Sequence, residues 1–600
     1  MNRFRDTIIC SVCVLIAAGF FFVAGRQLDA INAQRHDMKL IINQPLENAP
    51  PSLAFATVAM GAFRGLVVDI LWMRADKLKD EGKFFDAKQL AEWISILQPR
   101  FATVWEFHAW NMAYNISVAI PASQPAQRWQ WVRNGYELLR DKGIPYNPKA
   151  LLLYRELARI FQHKIGAISD DAHKYYKIQF AREIGPIVGR ATDEDFVRAM
   201  TAPTTWDALL LDPNMAEFTE SLQEADPAFT EGEAFVKSYM ALRENPARFA
   251  PDANSVIEDY MRSETLYSFG VFARAYLLKK IWKMDVGFMH EMNVKFGPIN
   301  FEDPNIVLSL DWRHPDVHAL YWASLGLKLG ADEEGRELSS TEVNTDRIII
   351  HSLQNLFRYG KIHFYTVQYY PTLEDGTEST EPRYMTDAFL RPDLRMFDRY
   401  NDAAKALLKK YEGDDGRVDS LGTGYRNMLK NAILSFYQAR LTGQAARIYK
   451  ILQDTFPRPE FTVPLEEFAR NRFLEEIRET FGIHDAREQI ESLLKESYYL
   501  FAIHSDDEAY GRQELATQLH DFYMAEYGDE ETRRVDLPPM TELHLLSMQS
   551  FLEDQNYPPY LKENYLARMK LQQPEAFEVF QQWMEEQQAG KISSTPPPEK

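Results

Sequence analysis

The chain has 600 residues, 46% of them apolar and 13% aromatic, which is ample for a packed core and excludes a disordered chain. Its 67 basic and 87 acidic residues leave a formal charge of −20, which argues against nucleic-acid or anionic-lipid binding by the bulk surface. There are two cysteines, Cys10 and Cys13, both in the first apolar run, so the body has no thiol for a disulfide, a cysteine zinc site or nucleophilic catalysis.

After a short flank at 1–6, Thr7 to Gly25 reads TIICSVCVLIAAGFFFVAG and carries no charge. Arg3 and Arg5 precede it and Arg26 follows. A span needs about 20 apolar residues, so 7–25 is expected to be a transmembrane signal anchor; a signal peptide cut at Val23-Ala24-Gly25 is the alternative. Such a first segment exports the body, giving a single-pass protein on the periplasmic or extracellular side. A polar linker, 26–51, ends in Pro50-Pro51. A second apolar stretch, Ser52 to Ala75, carries Arg64, Asp69 and Arg74. A mid-bilayer charge costs roughly 2.5–3.5 kcal/mol, so this stretch reads as a buried or interfacial helix.

From Leu71 to Pro99 the chain reads LWMRADKLKDEGKFFDAKQLAEWISILQP. Leu71, Ala75 and Leu78 share one helical face, Gly82 stands at a turn, and Ala87, Ala91 and Ile94 repeat the pattern before Pro99 stops it. This resembles the tetratricopeptide (TPR) repeat, a helix–turn–helix unit of about 34 residues with small residues where its helices touch. Leu71 replaces the family's Trp, and Ala75 its usual Gly. The resemblance implies an all-α, TPR-like helical-hairpin solenoid with a concave surface for proteins or peptides. It implies neither catalytic residues nor a cofactor.

Similar units follow. Phe101, Val104, Trp105, His108 and Met112 share a face. Ser123 reads as an N-cap with Pro125 in the first turn, and the helix RWQWVRNGYELLRDKG is expected to end at Gly143. Tyr154, Ala158 and Phe161 fit the family's first helix, and Ala172 and Tyr176 its second, which completes an array over 52–181. Trp105, Trp110, Trp129 and Trp131 recur near helical spacing, as core residues or as an aromatic groove for a peptide or glycan. Prolines then chop 182–311 into an irregular helical insertion, with Ser255 to Met284 its clearest helical patch.

Trp322, Leu325 and Gly326 supply W-x-x-L-G in a hairpin over 312–360 that Gly330 and then Ile348, Leu353 and Leu356 continue. IHFYTVQYY, before the turn signal Asp375-Gly376, makes 361–400 a linker or small β-hairpin. The region 401–588 reads as C-terminal helical repeats, with Leu429, Phe436, Ala445, Tyr449 and Pro457 at family positions. His484-Asp485 and Ser505-Asp506 read as helix starts, and Thr541 to Gln588 as two helices. The tail, 589–600, is polar and Pro-rich and is expected to be disordered.

Chemical motifs are few. His314 and His318 share a helical face at metal-ligating spacing, with Asp311 and Asp316 near. The alternative is that His314 caps the helix before Pro315 and His318 packs at a helix interface. His290-Glu291 begins H-E-x-x-H, but residue 294 is Val294. Ser492 to Lys495 matches S-x-x-K without its companion motifs, and Gly422-Thr423-Gly424 reads as a turn. The expected function is a membrane-anchored scaffold mediating protein–protein interactions in a cell-envelope complex, through the hairpins 91–114 and 429–449. It is expected to be no enzyme and to bind no nucleic acid. The alternatives are a metal-dependent enzyme around His314 and His318, or a structural envelope protein.

Overall fold

The computed structural model describes residues 64–167, 169–189, 192–330, 340–369, 383–413, 415–480, 486–527, 538–554 and 557–593. The anchor at 7–25, the linker at 26–51, Asp375-Gly376 and His484-Asp485 lie outside the described residues. Among those described, no helix is long and apolar enough to cross a membrane. The chain is mostly helical and divides into two compact units at Pro99 and Arg100.

The first unit contains a hairpin of α1 (Arg64–Asp80) and α2 (Phe84–Leu97). Gly82 closes it at φ +74°, a conformation that costs an L-residue about 1 kcal/mol and glycine nothing. The Lys83 N–H donates to the Leu78 carbonyl at 2.8 Å and the Gly82 N–H to that of Lys79 at 2.9 Å, so the carbonyls at the end of α1 are satisfied by the turn. Val68 and Ala75 of α1 and Ala87, Ala91 and Ile94 of α2 are buried.

The second unit begins with three helices that each widen into a π-helical stretch. These are α3 (Ala102–Trp110, continued by Asn111–Ile116), α4 (Pro125–Leu138, continued by Leu139–Gly143) and α5 (Leu151–Arg159, continued by Ile160–Gly166). Each wide stretch buries one polar side chain: Asn111, Arg140 and Lys164. Gln124, not Ser123, immediately precedes α4, and the helical path runs through Gly143 to Tyr146 instead of ending at the glycine. An extra residue per turn there carries Arg140 inward, over the rings of Tyr136 and Trp282 at 5.6 and 5.2 Å. Next, α6 (His173–Val188) runs through Pro186 and past residue 181.

The proline-rich segment forms α7 (Asp193–Thr201), α8 (Pro213–Ala225), α9 (Glu233–Glu244), α10 (Pro251–Asp259), α11 (Glu264–Lys280) and α12 (Val286–Phe296). Short helices need their free N–H groups satisfied. Thr192, Asp212, Ser263 and Asp285 cap α7, α8, α11 and α12 through their side chains. Phe218, Phe235, Phe269 and Phe272 centre the apolar core of α8 to α11.

Then α13 (Pro315–Gly330) returns to pack along α5. It is followed by α14 (Ser340–Tyr359), strands β1 (Lys361–Tyr369) and β2 (Arg383–Arg391), α15 (Phe397–Lys410), α16 (Asp415–Gln438), α17 (Thr442–Thr455) and α18 (Leu465–Thr480). The strands pair antiparallel, from Lys361 opposite Arg391 to Tyr369 opposite Arg383. Gly422-Thr423-Gly424, read as a turn, lies inside α16: Tyr425, Met428, Leu429 and Ala432 bury one face of that helix and outweigh the glycines.

The last core joins α19 (Ala486–Ala502), α20 (Asp506–Tyr527), α21 (Met540–Glu553), α22 (Pro559–Gln572) and α23 (Pro574–Ser593). Three helices, not two, run from Met540 onward, because Pro559 and Pro574 each start a new one at the position where a missing N–H costs nothing. Residues 589–593 are the end of α23, so the part of the expected disordered tail that is described is helical.

The turn at Gly82 recurs twice. Leu441 N–H donates to the Phe436 carbonyl and Arg440 N–H to that of Tyr437, with Arg440 at φ +59°. Ser505 N–H donates to Leu500 and His504 N–H to Phe501, with His504 at φ +62°. Five residues past each left-handed residue stands a buried alanine, Ala87, Ala445 or Ala509. A small side chain there lets the second helix lie close against the first.

Candidate functional site

The repeat-signature residues are packing residues. Leu71 is half-buried on α1, Gly82 makes the turn, Ala87 is buried in α2, and Pro99 follows that helix. Tyr154, Ala158 and Phe161 are buried on α5 and its wide extension. Trp322, Leu325 and Gly326 lie on α13, and two of these meet the α5 set: the Trp322 and Tyr154 rings are 6.3 Å apart. A Cβ on Gly326 would stand 2.5 Å from the Tyr154 Cβ, so glycine is what lets these helices touch. In the second hairpin Ala445 is buried, the Tyr449 hydroxyl donates to the carbonyls of Phe461 and Val463, and Pro457 lies beyond α17. Trp105 and Trp129 are core residues, their rings stacked at 6.0 Å on Tyr146 and 5.9 Å on Tyr176, and Trp110 stacks at 6.5 Å on Tyr114.

His314 and His318 are fully buried at the start of α13, facing different partners. His314 Nδ1 accepts the Asp316 N–H at 3.1 Å, and its Nε2 lies 3.1 Å from the Tyr359 carbonyl. His318 Nε2 lies 2.9 Å from the Trp312 carbonyl, and its ring sits among Phe161, Phe180, Trp282 and Trp312. Burial drives their pKa values down, to about 4 and about 3, so both rings are neutral at pH 7. The 3.6 Å approach of His314 to Asp316 is therefore no ion pair at that pH. Among the described residues, no three His, Cys, Asp or Glu side chains gather as a metal site would require.

Around the histidines lies a buried polar cluster. Asp316 accepts from Asn355 at 3.0 Å, and burial raises its pKa to about 7. Lys177, lowered by burial to about 8, donates to the Ala167 carbonyl at 3.1 Å. Lys164 holds Asp170 at 2.5 Å and Arg128 reaches it at 3.2 Å. Burial opposes the Asp170 charge, but the Lys164 bond, the Ala172 N–H and Arg128 keep its carboxyl below the usual range. Every cation there has a protein partner, and the cluster is closed to solvent. Its chemistry is that of a polar core.

An open cleft lies elsewhere in the second unit, between α14, α15, α16 and α18, with a volume of about 750 Å³. Arg347, His351, Gln354 and Arg358 line it from α14, and Lys430, Asn431 and Arg472 from α16 and α18. Ile350, Ala404, Leu407 and Leu421 supply apolar wall. Arg472 is held by Glu475 at 3.3 Å and Asn431 at 3.2 Å, and Lys430 lies 3.7 Å from Glu460. Arg347 and Arg358 have no carboxylate partner among the described residues. His351 is solvent-accessible yet crowded by protein, as a ring inside a recess is; burial and Arg347 both lower its pKa, leaving it neutral at pH 7.

The arginine stripe was missed in the sequence, where α14 was read for its apolar positions. Its spacing of four, three and four residues is a one-face pattern visible in the letters. Elsewhere, Ser492 is exposed on α19 and Lys495 pairs with Asp554 at 4.0 Å. No protein-family model and no curated protein matches the chain.

Proposed function

We propose that the chain is a membrane-anchored helical-repeat scaffold, tethered by residues 7–25, that docks a partner protein of a cell-envelope complex in the cleft between α14, α15, α16 and α18. The observation that carries this is the cleft: open, about 750 Å³, lined in part by apolar side chains, and holding two arginines without carboxylate partners among the described residues. Sites of that size and mixed lining are where proteins take ligands. The hairpin turn shared by Gly82, Arg440 and His504, each followed by a buried alanine, supports a TPR-like solenoid as the framework.

The test is site-specific photo-crosslinking of the full-length protein in its own membrane. A photoreactive residue at Gln354 is expected to trap one protein of discrete mass. The same residue at Leu211, which is 83% exposed in the insertion, is expected to trap none. Equal labelling at the two positions, or none at Gln354, overturns the proposal.

A further inference from the structure

We propose that the cleft takes an extended acidic segment of the partner, with carboxylates seated on Arg347 and Arg358, and with Lys430 and Arg472 adding positive charge across from them. This rests on the cleft being the docking site and adds the chemistry of what docks there.

The first argument is charge. Among the described residues, Arg347, Arg358, Lys430 and Arg472 line the cleft against one carboxylate, Glu475, in a chain whose formal charge is −20. Glu475 and Glu460, which neutralise two of these cations, are 60% and 52% exposed. Such exposed pairs are worth about 0–1 kcal/mol, so an incoming carboxylate displaces them at little cost. Arg472 also keeps a buried Nε without a hydrogen-bond acceptor. A guanidinium has five donors in a planar fork, and a carboxylate is its matching acceptor.

The second argument is spacing. Arg347, His351, Gln354 and Arg358 stand on one face of α14. At 1.5 Å rise per residue, the two arginines are about 16 Å apart along the axis. A single phosphate or a small dicarboxylate cannot reach both. An extended chain rises about 3.3 Å per residue, so side chains four residues apart, which face the same wall, stand about 13 Å apart, and the two arginine arms reach the remaining distance. Carboxylates at alternate positions would meet the arginines, with the Gln354 amide between them for the peptide backbone. Side chains facing the other way would meet Leu407 and Leu421. A long nucleic acid would extend beyond the cleft onto a surface of the opposite preference.

The experiment uses full-length protein in detergent and a fluorescein-labelled six-residue peptide alternating Glu and Leu, followed by anisotropy. Saturable binding is expected, weakening as salt rises. Replacing each Glu by Gln should abolish it. Arg347→Gln and Arg358→Gln should each weaken binding about fivefold, as charge partners in a part-buried site do, whereas Arg347→Lys should lose less and Arg198→Gln, outside the cleft, nothing. Equal binding of the Gln peptide, indifference to both arginine variants, or equally strong competition by inorganic pyrophosphate overturns the proposal. If a protein crosslinks at Gln354 but the Glu peptide neither binds nor competes, the acidic chemistry fails and the docking site stands. If neither occurs, both fail.

Discussion

Asp316 gives the sharpest test of the buried polar cluster. Its side chain is 1% exposed, and its pKa rises from 3.8 to about 7 because burial penalises the carboxylate. In the unfolded chain the group is ionised above pH 4, while in the folded chain it keeps its proton to about pH 7. Between those values the folded state binds more protons, so this residue's contribution to stability falls as pH rises. At 1.36 kcal/mol per unit, easing as the group begins to ionise, the fall from pH 5 to pH 8 is about 2.6 kcal/mol, and little more follows above that. His314 and His318 act oppositely: their pKa values are depressed to about 4 and about 3, so their contribution is lost on acidification and rises up to about pH 6.5. Lys177, depressed to about 8, changes the slope only above that pH.

The measurement that isolates Asp316 is therefore a difference. Asp316→Asn keeps the shape and the oxygen that accepts from Asn355, and removes the titration. Urea unfolding of the full-length protein, followed by tryptophan fluorescence and by hydrogen exchange in α13, gives the stability of each form at pH 5 and pH 8. The variant should improve relative to the parent by about 2–3 kcal/mol between those two values. A difference that does not change with pH would mean that Asp316 is ionised in the fold at pH 5, and the account of a protonated core carboxyl would be wrong.

Two further substitutions test the helix contacts, beside the cleft variants already described. Gly326→Ala puts a methyl against the Tyr154 Cβ at 2.5 Å, a backbone-level clash, and should lower stability by roughly 1–3 kcal/mol in the same urea assay; an unchanged midpoint would show that α5 and α13 have room to part. His504→Gly relieves a left-handed conformation at an exposed position and should raise the stability of the α19–α20 hairpin by up to about 1 kcal/mol, read as slower hydrogen exchange at Ser505 and Ala509. Faster exchange there would contradict the turn geometry.

What could be read in the letters depended on whether a residue type and its role coincide. Gly82 was legible because a left-handed turn favours glycine, but the same turn at Arg440 and His504 carries no glycine to mark it. The small residue five positions on is the better signal: it was used at Ala87 and Ala445 and overlooked at Ala509. Glycine misled at Gly422 and Gly424, where a helix core of aromatic and aliphatic residues outweighs a cost of about 1 kcal/mol per glycine. The wide turns at Asn111–Ile116, Leu139–Gly143 and Ile160–Gly166 have no residue signature. Nor could the letters show which lysines go inside: Lys164 and Lys177 are buried because the turn between α5 and α6 brings the Asp170 carboxylate and the Ala167 carbonyl to them. His314 and His318 were picked out for their spacing, and their ring nitrogens meet backbone groups instead of each other.

The polar cluster and the cleft share α14, and its two stripes explain why both are needed. Positions 348, 352 and 355 face the buried side, and the helix end at 359 brings its carbonyl there. The Ile348 carbonyl and Ser352 hydroxyl accept from Gln162 at 2.8 and 2.7 Å, Asn355 donates to Asp316, and the Tyr359 carbonyl meets His314. Positions 347, 351, 354 and 358 are each one residue earlier, about 100° around the helix, and line the cleft. Apolar packing alone tolerates a rotated helix; this ladder does not, since a turn by one residue would put Arg347 into the core without a partner. The buried hydrogen bonds thus fix the rotation that presents the arginines to solvent. It follows that Asp316→Asn, which keeps the acceptor for Asn355, should leave binding of the Glu-Leu peptide unchanged while altering the pH dependence of unfolding. Loss of peptide binding in that variant would mean that the charge of Asp316, and not its hydrogen bond, holds the stripe in place.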